Sequence, residues 1–291
     1  MPVPSSLVGC RSEKATTEVT PRWSMAYAAA LDDSTPCYFD TRVKVSFVAH
    51  PMFPVCFEWP VIVGMRDQME RAGLKLSEAM RGVHASHDLV IHRAIHPPER
   101  LTTIAEIVSA ERRSPGAFLV TRLDTVDESS APVCSSWYGS LYRGVDLSGP
   151  DCSLSAAPAL PSSKTSPPSR STSVVHVSAG LAHVYTECAQ IFNPIHTDAS
   201  VAEAAGLPAI ILHGTATLAL AVSRIVASEA GGDPRRVARV AGQFRAMVPM
   251  PSDIAVRIDA RDRSGDGEAI FFDVLNDRAA PAISNGAIVL R

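Results

Sequence analysis

Along the last 120 or so residues, apolar and polar positions follow two different periods. From Gly214 onward, Leu218, Val222, Ile225 and Val226 share one face at helical spacing, with small residues between them. This predicts a mostly buried helix of about four turns, ended by "GGDPRR". After that break the spacing changes to two. Ile254, Val256, Ile258 and Ala260 alternate with Ala255, Arg257, Asp259 and Arg261, and Ile270, Phe272 and Val274 repeat the pattern. With "VARVAGQFRAMV" before them and "GAIVL" at the end, and with turns at "PMPSD" and "SGDGE", this reads as an antiparallel meander wrapping one helix. Upstream, "VHVSAGLAHVYTECAQI" predicts a short strand followed by a short helix or turn. "DASVAEAAGL" predicts a brief helix capped by Thr197 or Asp198 and ended by Gly206 and Pro208.

The N-terminal half follows a looser version of the same order. "WSMAYAAALDD" is helical, "MRDQMERAGLKLSEAM" is helix or partly loop, and "HDLVIH" is strand or strand entry. Residues 99–144 read as strand-turn-strand-turn-strand, with "RRSPG" and "DESSAP" as turns. Between them and the C-terminal half lies a stretch rich in Ser, Pro and Ala that has too little apolar content to fold alone. The expected organisation is an N-terminal α+β domain over 1–148, a linker over 149–170 and a C-terminal α+β domain over 171–291.

Composition narrows the field. The chain has 291 residues, 46% of them hydrophobic, and a formal charge of -3 with both signs interspersed. That is ample for two cores, and it gives no broad field for nucleic acid or an anionic membrane. No run is long enough to span a bilayer. The N-terminus lacks the basic start and apolar core of a signal peptide, so a cytoplasmic location is expected. The cysteines are scattered, without metal-type spacing, and reduced thiols are expected. The four histidines His84, His87, His92 and His96 lack a metal pattern and read as structural or groove-lining. No nucleotide or nicotinamide loop occurs, so no metal or cofactor is implied.

The candidate chemistry sits in "QIFNPIHTDAS" and "GLPAIILHG". Pro194 shapes the loop that carries His196, whose imidazole exchanges protons near neutrality. Its residues also suit a loop histidine bonded to nearby backbone. Gly214 opens the long helix, where a free N–H can hold a carbonyl oxygen that gains charge; it equally suits a simple entry into the helix. His213 reads as structural or as a pocket wall.

The stretch "FNPIHTDASVAEAAGLPAIILHG" resembles the MaoC-like (R)-specific enoyl-CoA hydratase and dehydratase family, the hydratase 2 group of hot-dog folds. Asn193, Pro194, Ile195, His196 and Asp198 match its first motif in place. Pro208, Leu212, His213 and Gly214 match its second, and "FRAMVPMPSD" is similar to the strand and turn that follow. The N-terminal stretches "HPMFPVCFEWP", "HDLVIHRAIHPPERL" and "ERRSPGAFLVTR" resemble the non-catalytic half of two-domain members. The resemblance implies a double hot-dog fold and a lyase. It also implies an enoyl or 3-hydroxyacyl thioester of coenzyme A or an acyl carrier protein as substrate, and leaves open a homodimer of such chains. It assigns His196, Asn193 and Gly214 to catalysis, with Ile191, Phe192, His213 and Arg245 along the substrate.

At one position the sequence departs from the pattern. The family's catalytic aspartate falls on Ile191 and its preceding glycine on Gln190. The nearest carboxylates are Glu187 and Asp198, the latter reading as a loop brace. Three readings follow: a dehydratase or hydratase with His196 acting alone, a proton-transfer isomerase or cyclase of specialised metabolism, or a non-catalytic acyl-ligand-binding or scaffolding protein. Isoleucine beside the base dries the site and predicts a neutral His196.

Overall fold

The computed structural model describes residues 2–43, 47–157, 159, 171–262 and 267–291. Most of the predicted linker and most of the "SGDGE" turn lie outside them. In chain order the strands of the first half are β1 (Val3–Pro4), β2 (Ala15–Val19), β3 (Gly82–Ile91), β4 (Glu99–Arg113), β5 (Gly116–Val126), β6 (Pro132–Arg143), β7 (Leu147–Ser148) and β8 (Cys152–Ser153). Those of the second half are β9 (Ser171–Val177), β10 (Val237–Phe244), β11 (Ser252–Asp262), β12 (Glu268–Leu275) and β13 (Pro281–Leu290). The helices are α1 (Pro21–Ala30), α2 (Pro54–Arg71), α3 (Leu76–Ala79), α4 (Leu181–Ala189), α5 (Ala199–Ala204) and α6 (Gly214–Glu229). No helix among the described residues is long and apolar enough to cross a membrane.

The chain packs as two compact units. The first comprises Met1–Glu18, Phe57–His92 and Arg100–Ala159. Its strands run in the order β2-β4-β5-β6-β3, with β8 beside β4 and a short parallel β1-β7 pair apart. Sequence reasoning left residues 50–64 open and 65–80 as helix or loop, whereas one helix runs from Pro54 to Arg71. Pro54 is tolerated because a first-turn N–H has no helical partner in any case. Pro60 lies inside the helix. Val61, Met65 and Met69 bury one stripe of α2 among Ala105, Ile107 and Leu119 of the sheet. Each such side chain contributes roughly 1.5–3 kcal/mol.

Glu58 lies on α2 as well, only 3% exposed. Ser136 Oγ donates to its Oε1 at 2.5 Å, yet burial raises its carboxyl from 4.5 to about 7. Above pH 4.5 the unfolded chain releases this proton while the folded chain keeps it to about 7. The group therefore costs stability increasingly across that window, reaching roughly 3 kcal/mol at higher pH. Glu58→Gln keeps an acceptor for Ser136 and removes the charge. Its urea midpoint relative to wild type should rise between pH 5 and pH 8; a constant difference would show that Glu58 stays ionised when folded.

The second unit comprises Val19–Cys56, Arg93–Glu99 and Leu160–Arg291. Residues 19–56, which sequence order places in the N-terminal half, thus pack with the C-terminal segment. The sheet order is β10-β13-β12-β11-β9, all pairs antiparallel. The predicted alternation holds: Ile254, Val256, Ile258, Ile270, Phe272 and Val274 are all buried. The α6 helix is buried nearly all round, as its run of Ala, Leu and Val allows. Helix α1 joins α4, where Trp23 Nε1 donates to the Cys188 carbonyl at 2.9 Å and Tyr27 lies 5.7 Å from Tyr185, ring to ring.

Candidate active site

The site is built where α4 ends and α6 begins. Helix α4 stops at Gln190, whose φ of 57° and ψ of 35° place it in the left-handed region. The chain reverses there. Ile191 N–H returns to the Thr186 carbonyl at 3.2 Å, and the Ile191 side chain is buried. Phe192 turns outward, 59% exposed. Pro194–His196 form one turn of 3-10 helix that starts from Asn193, whose carbonyl accepts the His196 N–H at 3.1 Å. Asp198 caps α5 through the N–H groups of Ser200 and Val201, and its carboxyl is thereby held below its ordinary value. That bracing role is the one expected for it. Glu187 is exposed on α4.

His196 is half-buried, and its Nδ1 lies 2.8 Å from the Ile211 carbonyl oxygen. A carbonyl can only accept, so Nδ1 carries the proton and the neutral ring presents Nε2 as a bare lone pair. Burial lowers its pKa, offset in part by the Ile211 bond. The neutral form expected from the sequence follows.

His213 stacks on His196 with ring centroids 3.7 Å apart and planes inclined by 25°. Its Nε2 is 3.2 Å from Thr186 Oγ1, and its buried Nδ1 has no hydrogen-bond partner among the described residues. Burial first, and then the neighbouring His196, push its pKa down to about 2. His213 is therefore an uncharged ring stacked on the candidate base. A further ring, Tyr185, sits 5.0 Å from His213.

Ile211 bridges Pro249, and Leu212 N–H donates to the Val248 carbonyl at 3.0 Å, which fixes the entry to α6. Gly214 is the first residue of that helix, and His213 provides no side-chain cap. A Cβ at Gly214 would stand 2.9 Å from Phe244 Cδ1. Only glycine fits against that ring without a shift.

Arg245 belongs elsewhere. Its Nε donates to Ser284 Oγ at 3.3 Å and its Nη2 to Gln243, and the side chain is exposed. Among the described residues, no hydrogen bond or ring contact joins Arg245 or Phe192 to the histidine pair. Sequence reasoning passed over Tyr185 and Thr186. Both lie on the buried face of α4, where their apolar bodies read as core; the signal was the polar tip each carries.

A match to the MaoC like domain family covers residues 169–276. The first half matches the FAS1-like, dehydratase domain region over residues 6–135. The stretch that resembles the MaoC like domain holds every residue of the histidine loop and the start of α6. Among curated proteins, the peroxisomal enoyl-CoA hydratase 2 of Arabidopsis thaliana is 40% identical over 57 residues. That stretch is 20% of this chain and 18% of the plant protein. Among solved structures, a MaoC-like dehydratase from Phytophthora capsici is 21% identical with a TM-score of 0.83, covering 99% of this chain and 97% of that one. A second MaoC-like dehydratase is 18% identical with a TM-score of 0.79 over 99% of both chains. A Mycobacterium tuberculosis protein described as having a double hotdog fold is 14% identical with a TM-score of 0.61, over 97% of this chain and 95% of that one. The fold is the α+β double hot dog.

Proposed function

We propose that the chain is a MaoC-type hydratase or dehydratase acting on an enoyl or 3-hydroxyacyl thioester of coenzyme A or an acyl carrier protein. The 171–291 segment supplies the catalytic residues and the N-terminal domain is non-catalytic. The observation that carries this reading is the Nδ1–Ile211 bond, which orients the His196 ring and supports Nε2 as the base. Gly214 N–H, unpartnered within the helix, supplies the dipole for the thioester oxygen.

In the hydration direction Nε2 takes a proton from water as the oxygen bonds to C3. The C2=C3 electron pair moves onto the carbonyl oxygen beside Gly214 N–H. The enolate then collapses as C2 takes the proton back from the His196 imidazolium. One base thus serves both transfers. Asn193, whose side-chain amide makes no hydrogen bond among the described residues, is the residue we assign to the water.

The left-handed backbone at Gln190 supports aligning it with the family's glycine, which puts Ile191 at the aspartate position. A buried Ile191 removes the carboxylate that would share the proton work. That same residue favours a second reading, a proton-transfer isomerase or cyclase needing one base and one oxyanion donor. A panel of short, medium and branched trans-2-enoyl-CoA thioesters separates the two by loss of enoyl absorbance. Hydration is expected, with kcat/KM falling on the acid side at a midpoint below the ordinary histidine value of 6.5. No hydration by wild type, with hydration gained in Ile191→Asp, would transfer the assignment to the isomerase or cyclase.

A further inference from the structure

The first turn of α6 carries a second donor beside Gly214. Tyr185 OH donates to Thr215 Oγ1 at 3.1 Å. An oxygen that accepts this bond must aim its own proton elsewhere, and no acceptor for it is found among the described residues. Thr215 is half-buried while Tyr185 is fully buried. Helical side chains tilt toward the N-terminus, which brings the Thr215 hydroxyl to the same end of α6 as the Gly214 N–H. Tyr185 is itself held in place: its hydroxyl lies 3.4 Å from that of Tyr27, and its ring lies against His213.

From this geometry we infer that Thr215, oriented by Tyr185, is a second oxyanion donor, its hydroxyl joining the Gly214 N–H on the thioester carbonyl oxygen. The inference rests on the thioester reading above and deepens it. Ile191 leaves the site without a carboxylate, so the reaction depends more heavily on holding the enolate. Two donors in adjacent residues supply that hold. The step moves no proton through Thr215; the hydroxyl keeps its proton and strengthens its bond as charge builds on the oxygen. Tyr185 is a positioning residue, fixing which lone pair of the threonine oxygen is occupied.

Thr215→Val removes the hydroxyl at constant shape, and Thr215→Ser keeps it. On the best enoyl-CoA substrate, Thr215→Val should lose about 100-fold or more in kcat with KM little changed. Thr215→Ser should retain most of the rate. The acid limb of the pH profile should stay where wild type has it, because His196 is untouched. The inference is overturned if Thr215→Val keeps the wild-type kcat, if only KM changes, or if the acid limb moves with the rate. A loss in both variants with unchanged thermal midpoints also overturns it. Loss of hydration in His196→Ala with none in Thr215→Val would sink this inference alone. A wild-type enzyme inactive across the panel would remove the thioester reading, and Thr215's role with it.

Discussion

His196→Ala should abolish most thioester hydration, with kcat reduced about 10²–10⁴-fold. The ring does two jobs that alanine cannot do. In the proposed mechanism its Nε2 accepts the water proton and returns it to carbon, and its Nδ1 bond to Ile211 joins the loop to the segment entering α6. His196→Gln separates these roles. An amide can donate to the Ile211 carbonyl but cannot take a proton near neutrality, so the rate should stay low while the thermal midpoint recovers toward wild type. A His196→Ala enzyme that hydrates at the wild-type rate would remove His196 from catalysis. Because burial already disfavours the charged ring, the wild-type rate should persist at mildly acidic pH, where an exposed histidine would be protonated.

Acid should unfold the protein unusually early, and His87 is an identifiable cause in the first unit, beside His84, which burial also pushes well below its ordinary value. His87 lies on β3, 1% exposed, and neither ring nitrogen has a partner among the described residues. Burial pushes its pKa down from 6.5 to about 4. The unfolded chain takes up a proton as pH falls through 6.5, whereas the folded chain refuses it until about 4. Stability present above pH 6.5 is thus lost across that window, by roughly 3 kcal/mol for this one group. That is a large share of a typical folding free energy of about 5–15 kcal/mol. His50 is displaced to about 4 by burial in the second unit and acts in the same direction. Glu58 opposes them over part of the range. His87→Leu isolates the effect: stability at pH 7.5 should hold or rise, because an unpaired polar ring is gone, and the loss between pH 6.5 and 4 should shrink. An unchanged pH slope would mean that His87 is solvated in the folded chain.

Much of this was legible before the fold was known, for reasons that differ by element. The meander and α6 declare themselves because each has a single buried face or an apolar body, and periodicity reports burial directly. The N-terminal helix α2 was hidden by Pro54 and Pro60, which punctuate a helix that tertiary packing nevertheless sustains. The grouping of residues 19–56 with the C-terminal segment could not be read either. It depends on Tyr27 meeting Tyr185, a contact between residues far apart in the chain. In the site, His196 and Gly214 stood out through the family resemblance of "FNPIHTDASVAEAAGLPAIILHG", since alone each also suits an ordinary loop or helix entry. The stack of His213 under His196 and the Tyr185–Thr215 bond did not, since "HVYTECAQ" and "HGTAT" look like ordinary helix.

Gln190 shows how such a site can drift. A side chain held in the left-handed region costs roughly 1–2 kcal/mol. Glycine would relieve that strain but would release more freedom in the unfolded chain, offsetting about 0.4–1 kcal/mol of the gain. Glycine would therefore be favoured by only about 0.5–1 kcal/mol, a small fraction of a typical folding free energy. The loop keeps its shape through its neighbours, chiefly the Ile191 N–H bond to Thr186 and the buried isoleucine. A glycine here would therefore leave the loop folded, whereas a change at Ile191 would remove a buried anchor of the loop.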